Sequence, residues 1–89
     1  RFDALSRSGC IVCRIVHGVI TPANIHHATG IKYRATGKKA SDDHVLPLCH
    51  FHHQGQQGIH TIGMRTWEAM FGTQEYLMEL SNTIIAEQY

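Results

Sequence analysis

Two short stretches, C-I-V-C at residues 10–13 and C-H-F-H at residues 49–52, constrain this chain more than anything else in it. The chain has only 89 residues. A domain of that size buries a modest share of its surface and usually needs a staple. Three cysteines cannot complete a disulfide framework. Cys10 and Cys13 are spaced for a metal rather than for a structural disulfide. Zinc takes thiolate sulfur and imidazole nitrogen, and its structural sites are four-coordinate and closed. Cys10 and Cys13 supply two ligands, and Cys49 with His52 supplies two more at the same spacing. This Cys₃His set uses every cysteine in the chain. His50 is the alternative to His52, and the knuckle spacing favours His52.

The remaining histidines are more than a structural zinc needs. The chain has 8 of them, including the pairs His26-His27 and His52-His53. Neighbours on a strand point to opposite faces. On a strand, therefore, His26 can ligate a metal while His27 does other work. On a helix His53 turns about 100° away from His52 and so can serve a second site. Gly55 and Gly58 break the helix after it, and a bend there returns His60 towards His53. His26, His53 and His60 then form a three-histidine group with open positions, as a catalytic metal requires. His27 is the candidate general base, because a neutral imidazole can take a proton from water near neutral pH. Together these residues point to phosphodiester hydrolysis with one metal and one histidine. His17 and His50 receive no role.

Local patterns place these residues in a small α+β fold. Residues 1–9 suggest a helical turn. The CIVC knuckle leads to a turn at His17-Gly18, with Ile11, Val12, Ile15 and Val16 as packing residues. Ile25–Ala28 reads as a short strand. Residues 30–43 are loop-like. H-V-L-P-L is a second short strand, and Pro47 argues against a central position in a sheet. C-H-F-H-H-Q opens a helix. M-R-T-W-E-A-M-F is a further helix stopped at Gly72. Thr73 is the expected N-cap of the last helix, with Glu75 in its first turn. Trp67, Phe71, Leu77, Leu80 and Ile84 are the expected core of residues 64–89. The whole is one domain, 1–89, with the knuckles and the ββα core in 10–60.

Charge is divided along the chain. Residues 1–39 carry seven Lys/Arg against Asp3, and residues 40–89 carry Arg65 against six Asp/Glu. Lys32, Arg34, Lys38 and Lys39 cluster in a glycine-containing stretch that suits contact with a DNA backbone. Such contacts carry no base sequence, and no recognition helix is evident. Free cysteines and the absence of a signal-like or membrane-spanning run predict a reducing, cytoplasmic setting. The start at Arg1 predicts that the domain was cut from a longer chain.

The order of these motifs resembles the HNH (His-Me finger, ββα-metal) endonucleases: C-x-x-C, a strand ending in His-His, then P-L-C-x-x-H-H opening a helix. The match covers residues 10–60. The resemblance implies that His26 binds the metal, that His27 is the base and that His53 is a helical ligand. A further ligand lies one helical turn later in that family, and Gln57 stands there in this chain. His60 is the expected replacement. His44 occupies the family's middle Asn position and would fasten the loop or orient His27. More narrowly, S-D-D-H-V-L-P-L-C-H-F-H-H-Q-G-Q-Q-G-I-H is similar to the RecA-dependent nucleases of temperate bacteriophages and prophages, from about Cys10 to the C-terminus. That likeness implies an endonuclease acting on DNA within RecA filaments, such as displacement loops, in a bacterial host carrying or infected by the phage. It also implies a basic N-terminal segment ahead of this chain. The domain is expected to be a monomer. It places Asp43 and His60 at the active site, with Asp42 an equally placed alternative to Asp43 that would orient a histidine.

The expected cofactors are a structural Zn²⁺ and one catalytic divalent ion: Mg²⁺, Mn²⁺ or Zn²⁺. The competing reading is a non-catalytic zinc module that binds nucleic acid or protein. His27 separates the two, since such a module has no use for a histidine beside a ligand. A zinc peptidase is disfavoured by the lack of H-E-x-x-H.

Overall fold

Two buried four-residue segments far apart in sequence pair at the centre of the molecule, and the helices are arranged around them. The computed structural model describes residues 2–30 and 44–88. In chain order these form α1 (Phe2–Ser8), α2 (Ile11–His17), β1 (Asn24–His27), β2 (Val45–Leu48), α3 (His50–His53), α4 (Ile59–Ile62), α5 (Met64–Phe71) and α6 (Gln74–Gln88). β1 and β2 are antiparallel, with His26 opposite Leu46 and His27 opposite Val45. The result is a small α+β fold with a two-stranded sheet.

β2 is buried along its whole length. It packs against α1, α2, α3 and α6, which explains why V-L-P-L is continuously apolar rather than alternating. Pro47 fits because neither strand of a two-stranded sheet is central. The core joins Cys10, Ile11, Val12, Leu46, Leu48, Ile59, Trp67 and Leu77. Leu5 and Val45 are equally buried. Phe71, Leu80 and Ile84 are half-buried against this core. Ile15 and Val16 differ from the sequence expectation, because they lie on the outer face of α2 and are exposed. α2 is a two-turn helix whose Ile11–Val12–Cys13 side alone meets the core. The first strand runs one residue earlier than expected, and α1 is a full two turns rather than a single one.

α5 and α6 are separated at Gly72, whose φ of 112° lies in the region that favours glycine. The chain then restarts with Thr73 as the N-cap. The Tyr76 backbone N–H donates to Thr73 Oγ1 at 3.1 Å, and the Gln74 N–H donates to Glu68 Oε2 at 2.8 Å. Both bonds satisfy amides that a helix start leaves open. Trp67 is fully buried in α5. Its indole N–H donates to the His52 carbonyl at 3.1 Å, so the largest core side chain holds the backbone of α3. Replacing Trp67 with Phe removes that donor and part of the ring. It is expected to cost about 1–3 kcal/mol, read by denaturant unfolding with zinc bound. An unchanged midpoint would contradict this role.

Candidate metal centre

The first knuckle spans the loop before α2 and its first turn, and the second spans the end of β2 and α3. Cys10 and Cys49 each stand one residue before a helix, as the N-caps of α2 and α3. Cys13 and His52 follow three residues later and so return to the same side as the cap. Pairing of β2 with β1, and packing of β2 on α2, set the two knuckles face to face.

Their atoms have the dimensions of a zinc tetrahedron. With ordinary zinc bond lengths its edges are about 3.8 Å between sulfurs and about 3.5 Å between sulfur and nitrogen. Cys13 Sγ and Cys49 Sγ are 3.8 Å apart. His52 Nδ1 lies 3.8 Å from Cys10 Sγ, 3.6 Å from Cys13 Sγ and 3.2 Å from Cys49 Sγ. These separations are far longer than a disulfide's, and all three cysteines are free. Burial pushes the Cys10 thiol up to about 12, with the neighbouring Cys49 and Cys13 sulfurs adding to the rise and backbone hydrogen bonds opposing it. A thiol there ionises only beside a cation. Burial also lowers His52, and the charge of His17 adds to that. A neutral imidazole and three thiols gathered at one point fit a Cys₃His metal site, and His52 rather than His50 completes it.

A second group lies apart from the first. His26, His53 and His60 bring their ligand nitrogens within 4.8 Å of one another. Their ring centroids are 5.0 Å apart for His26–His53, 5.2 Å for His26–His60 and 4.7 Å for His53–His60. His26 comes from β1 and is buried, His53 ends α3 and is half-buried, and His60 lies on α4 and is exposed. The group therefore opens to solvent on the His60 side. The bend that returns His60 depends on Gly58. A Cβ there would stand 2.5 Å from the His53 carbonyl carbon and oxygen, which are backbone atoms and cannot move aside. α4 could not approach α3 so closely with a larger residue.

Burial pushes His26 down to about 4, against the hydrogen bond it donates to Gln74, which raises it; the charges of His53, His60 and His27 lower it further. Burial lowers His53 too, followed by His60 and His50. Both rings are neutral at neutral pH, as metal ligands must be.

The other expected residues divide. Strand alternation sends the His27 side chain to the face opposite His26. Its ring is half-buried and edge-on to Phe2 at 6.1 Å. The Ala28 N–H donates to the His44 carbonyl at 2.9 Å, extending the β1–β2 pairing by one bond. His50 and His17 are exposed and belong to neither group. Asp42, Asp43, Lys32, Arg34, Lys38 and Lys39 lie outside the described residues. Sequence reading missed Gln74, which is buried and touches His26 at 3.0 Å. Only the approach of α6 to β1 reveals it, and no local pattern announces that approach.

Two outcomes are expected. Cys49→Ala should lose tightly bound zinc and unfold, since structural zinc contributes on the order of 10 kcal/mol of apparent binding energy in small modules. Metal analysis and a melting curve test this, and an unchanged curve would refute it. The second outcome concerns pH. Unfolded histidine binds a proton below its usual 6.5, while folded His26 refuses one until about 4. Stability should therefore be intact above pH 6.5 and fall as pH drops, by roughly 1 kcal/mol from His26 at pH 5.5. His26→Gln should flatten the unfolding free energy against pH by that amount, measured without added metal. An equally steep curve would refute the assignment.

No protein-family model matches this chain, and no curated protein does.

Proposed function

We propose that this domain is a metal-dependent DNA endonuclease of the HNH (ββα-metal) kind, with a structural zinc in the Cys₃His group and a catalytic divalent ion in the three-histidine group. The observation that carries this reading is the division of labour between His52 and His53. Adjacent residues on one helical turn feed two different ligand groups. The first is closed, with four ligands, as a structural site is. The second has three imidazole nitrogens and opens to solvent, so substrate can reach it.

The donor set suits Zn²⁺ better than Mg²⁺ or Mn²⁺, which prefer oxygen ligands. When bound, the ion supplies a Lewis acid for a phosphate oxygen and for the leaving 3′ oxygen. His26, His53 and His60 would hold it and would leave positions open. His27 stands next to His26 along the strand and takes the proton from the attacking water. Phe2 stands edge-on to the His27 ring at 6.1 Å. By resemblance Asp43 joins His27 and His60 in the active site, and by their charge Lys32, Arg34, Lys38 and Lys39 suit contact with the DNA backbone. The resemblance also supports RecA-bound DNA, including displacement loops, as the substrate, and the cytoplasm of a phage-carrying bacterium as the setting. Among the described residues no helix is long and apolar enough to cross a membrane.

Nicking of supercoiled plasmid tests the activity, with Mn²⁺ or Mg²⁺ added, and with or without RecA and ATP. His27→Ala should keep the fold and both metals, yet lose about 10²–10⁴-fold in rate. His60→Ala should stay folded and lose cutting along with the second metal. A folded His27→Ala protein that cuts as fast as the parent would remove His27 as the base. A wild-type protein that binds both metals and never cuts would instead make this a non-catalytic zinc module.

A further inference from the structure

We propose that Gln74, from the C-terminal helix, is a positioning residue for the three-histidine group: it fixes the tautomer of His26 so that Nδ1 is the atom offered to the metal. This rests on the reading of His26, His53 and His60 as metal ligands.

The geometry determines the amide's orientation. Gln74 is 1% exposed and His26 is also 1% exposed, so water does not compete for either. The Gln74 side-chain Nε2 donates to the Thr29 carbonyl at 2.9 Å. Its Oε1 accepts from the Thr29 backbone N–H at 2.9 Å. A backbone carbonyl can only accept, and a backbone N–H can only donate. Reversing the amide would set donor against donor and acceptor against acceptor. Oε1 therefore faces His26, whose Nε2 is 3.0 Å away. An amide oxygen only accepts, so His26 Nε2 must carry the hydrogen. A neutral imidazole has one N–H. Its Nδ1 is then the lone-pair nitrogen, and it is the ligand atom left for the group with His53 and His60.

Two further contacts fix Gln74 itself. Its own backbone N–H donates to Glu68 Oε2 at 2.8 Å, and the Thr73 cap starts α6 one residue earlier. The result is a relay from α5 through the first residue of α6 to β1. A hydrogen-bonded partner behind a ligating histidine commonly governs metal affinity by 10–100-fold.

Nitrogen-15 correlation spectra of the histidine rings test this in the zinc-loaded wild-type protein, before and after the second group is filled with Zn²⁺. His26 is expected to show Nε2–H in both states, with Nδ1 shifting on Zn²⁺ addition. Gln74→Leu should release the tautomer and weaken Zn²⁺ binding at the three-histidine group by about 10–100-fold in calorimetric titration. Gln74→Glu keeps an acceptor for His26 but sets an oxygen against the Thr29 carbonyl, so it should lower the melting temperature while the folded protein holds affinity within about threefold of wild type. A purely structural role would lower the melting temperature of both variants and leave the tautomer and the affinity of the folded protein unchanged. Nδ1–H in wild-type His26, or a folded Gln74→Leu protein of unchanged affinity, overturns the proposal. Should Gln74→Leu fail to fold, the wild-type tautomer and the Gln74→Glu affinity still decide it. Absence of any metal at the group overturns both this proposal and the reading beneath it. Metal binding with the expected tautomer but no DNA cutting overturns only the nuclease reading.

Discussion

The fold depends on four atoms that join residues 10–13 to residues 49–52. Cys13 and Cys49 stand 36 residues apart in the chain and 3.8 Å apart in space. Closing a loop of that length is a modest entropic cost once a strong ligand set repays it. Around this junction the molecule has little else to rely on. The sheet has two strands, and a two-stranded sheet is marginal alone. Four of the helices have only four or seven residues, too short to persist in isolation. The core is built directly onto the junction: Cys10 and Cys13 are core residues as well as ligands, and Trp67 bonds to the backbone of His52. Hydrophobic packing and the knuckles are thus one structure rather than two.

Much of this was legible in the sequence because ligand spacing is a local property. The C-x-x-C and C-x-x-H spacings identify both knuckles, and residues three apart around a helix start lie on one side of it. Adjacent histidines on a strand or a helix must diverge, so His26 with His27, and His52 with His53, could be assigned to different tasks before any coordinates. Thr73 and Gly72 were readable as cap and breaker for the same local reason. Ile15 and Val16 were not. Their apolar character suggests burial, and only the position of α2 relative to β2 decides which side of a short helix meets the core. Gln74 was equally hidden. Its importance comes from a contact with His26 across 48 residues, and a single glutamine after an N-cap carries no pattern that foretells it.

The elements beyond residue 60 are more than a cover for the core. α5 reaches α3 through the Trp67 indole and reaches α6 through the Glu68 carboxylate. One short helix therefore touches the backbone of a residue in the Cys₃His group and the partner of a residue in the three-histidine group. The separation into a metal-binding half and a C-terminal packing half, natural from the sequence, does not survive in three dimensions.

The adjacency of His52 and His53 has one more consequence. A single turn of helix carries a ligand of each group, and that turn has only four residues. The direction of His53 is therefore tied to that of His52 through one peptide bond, and whatever holds the Cys₃His group in place also aims a residue of the three-histidine group.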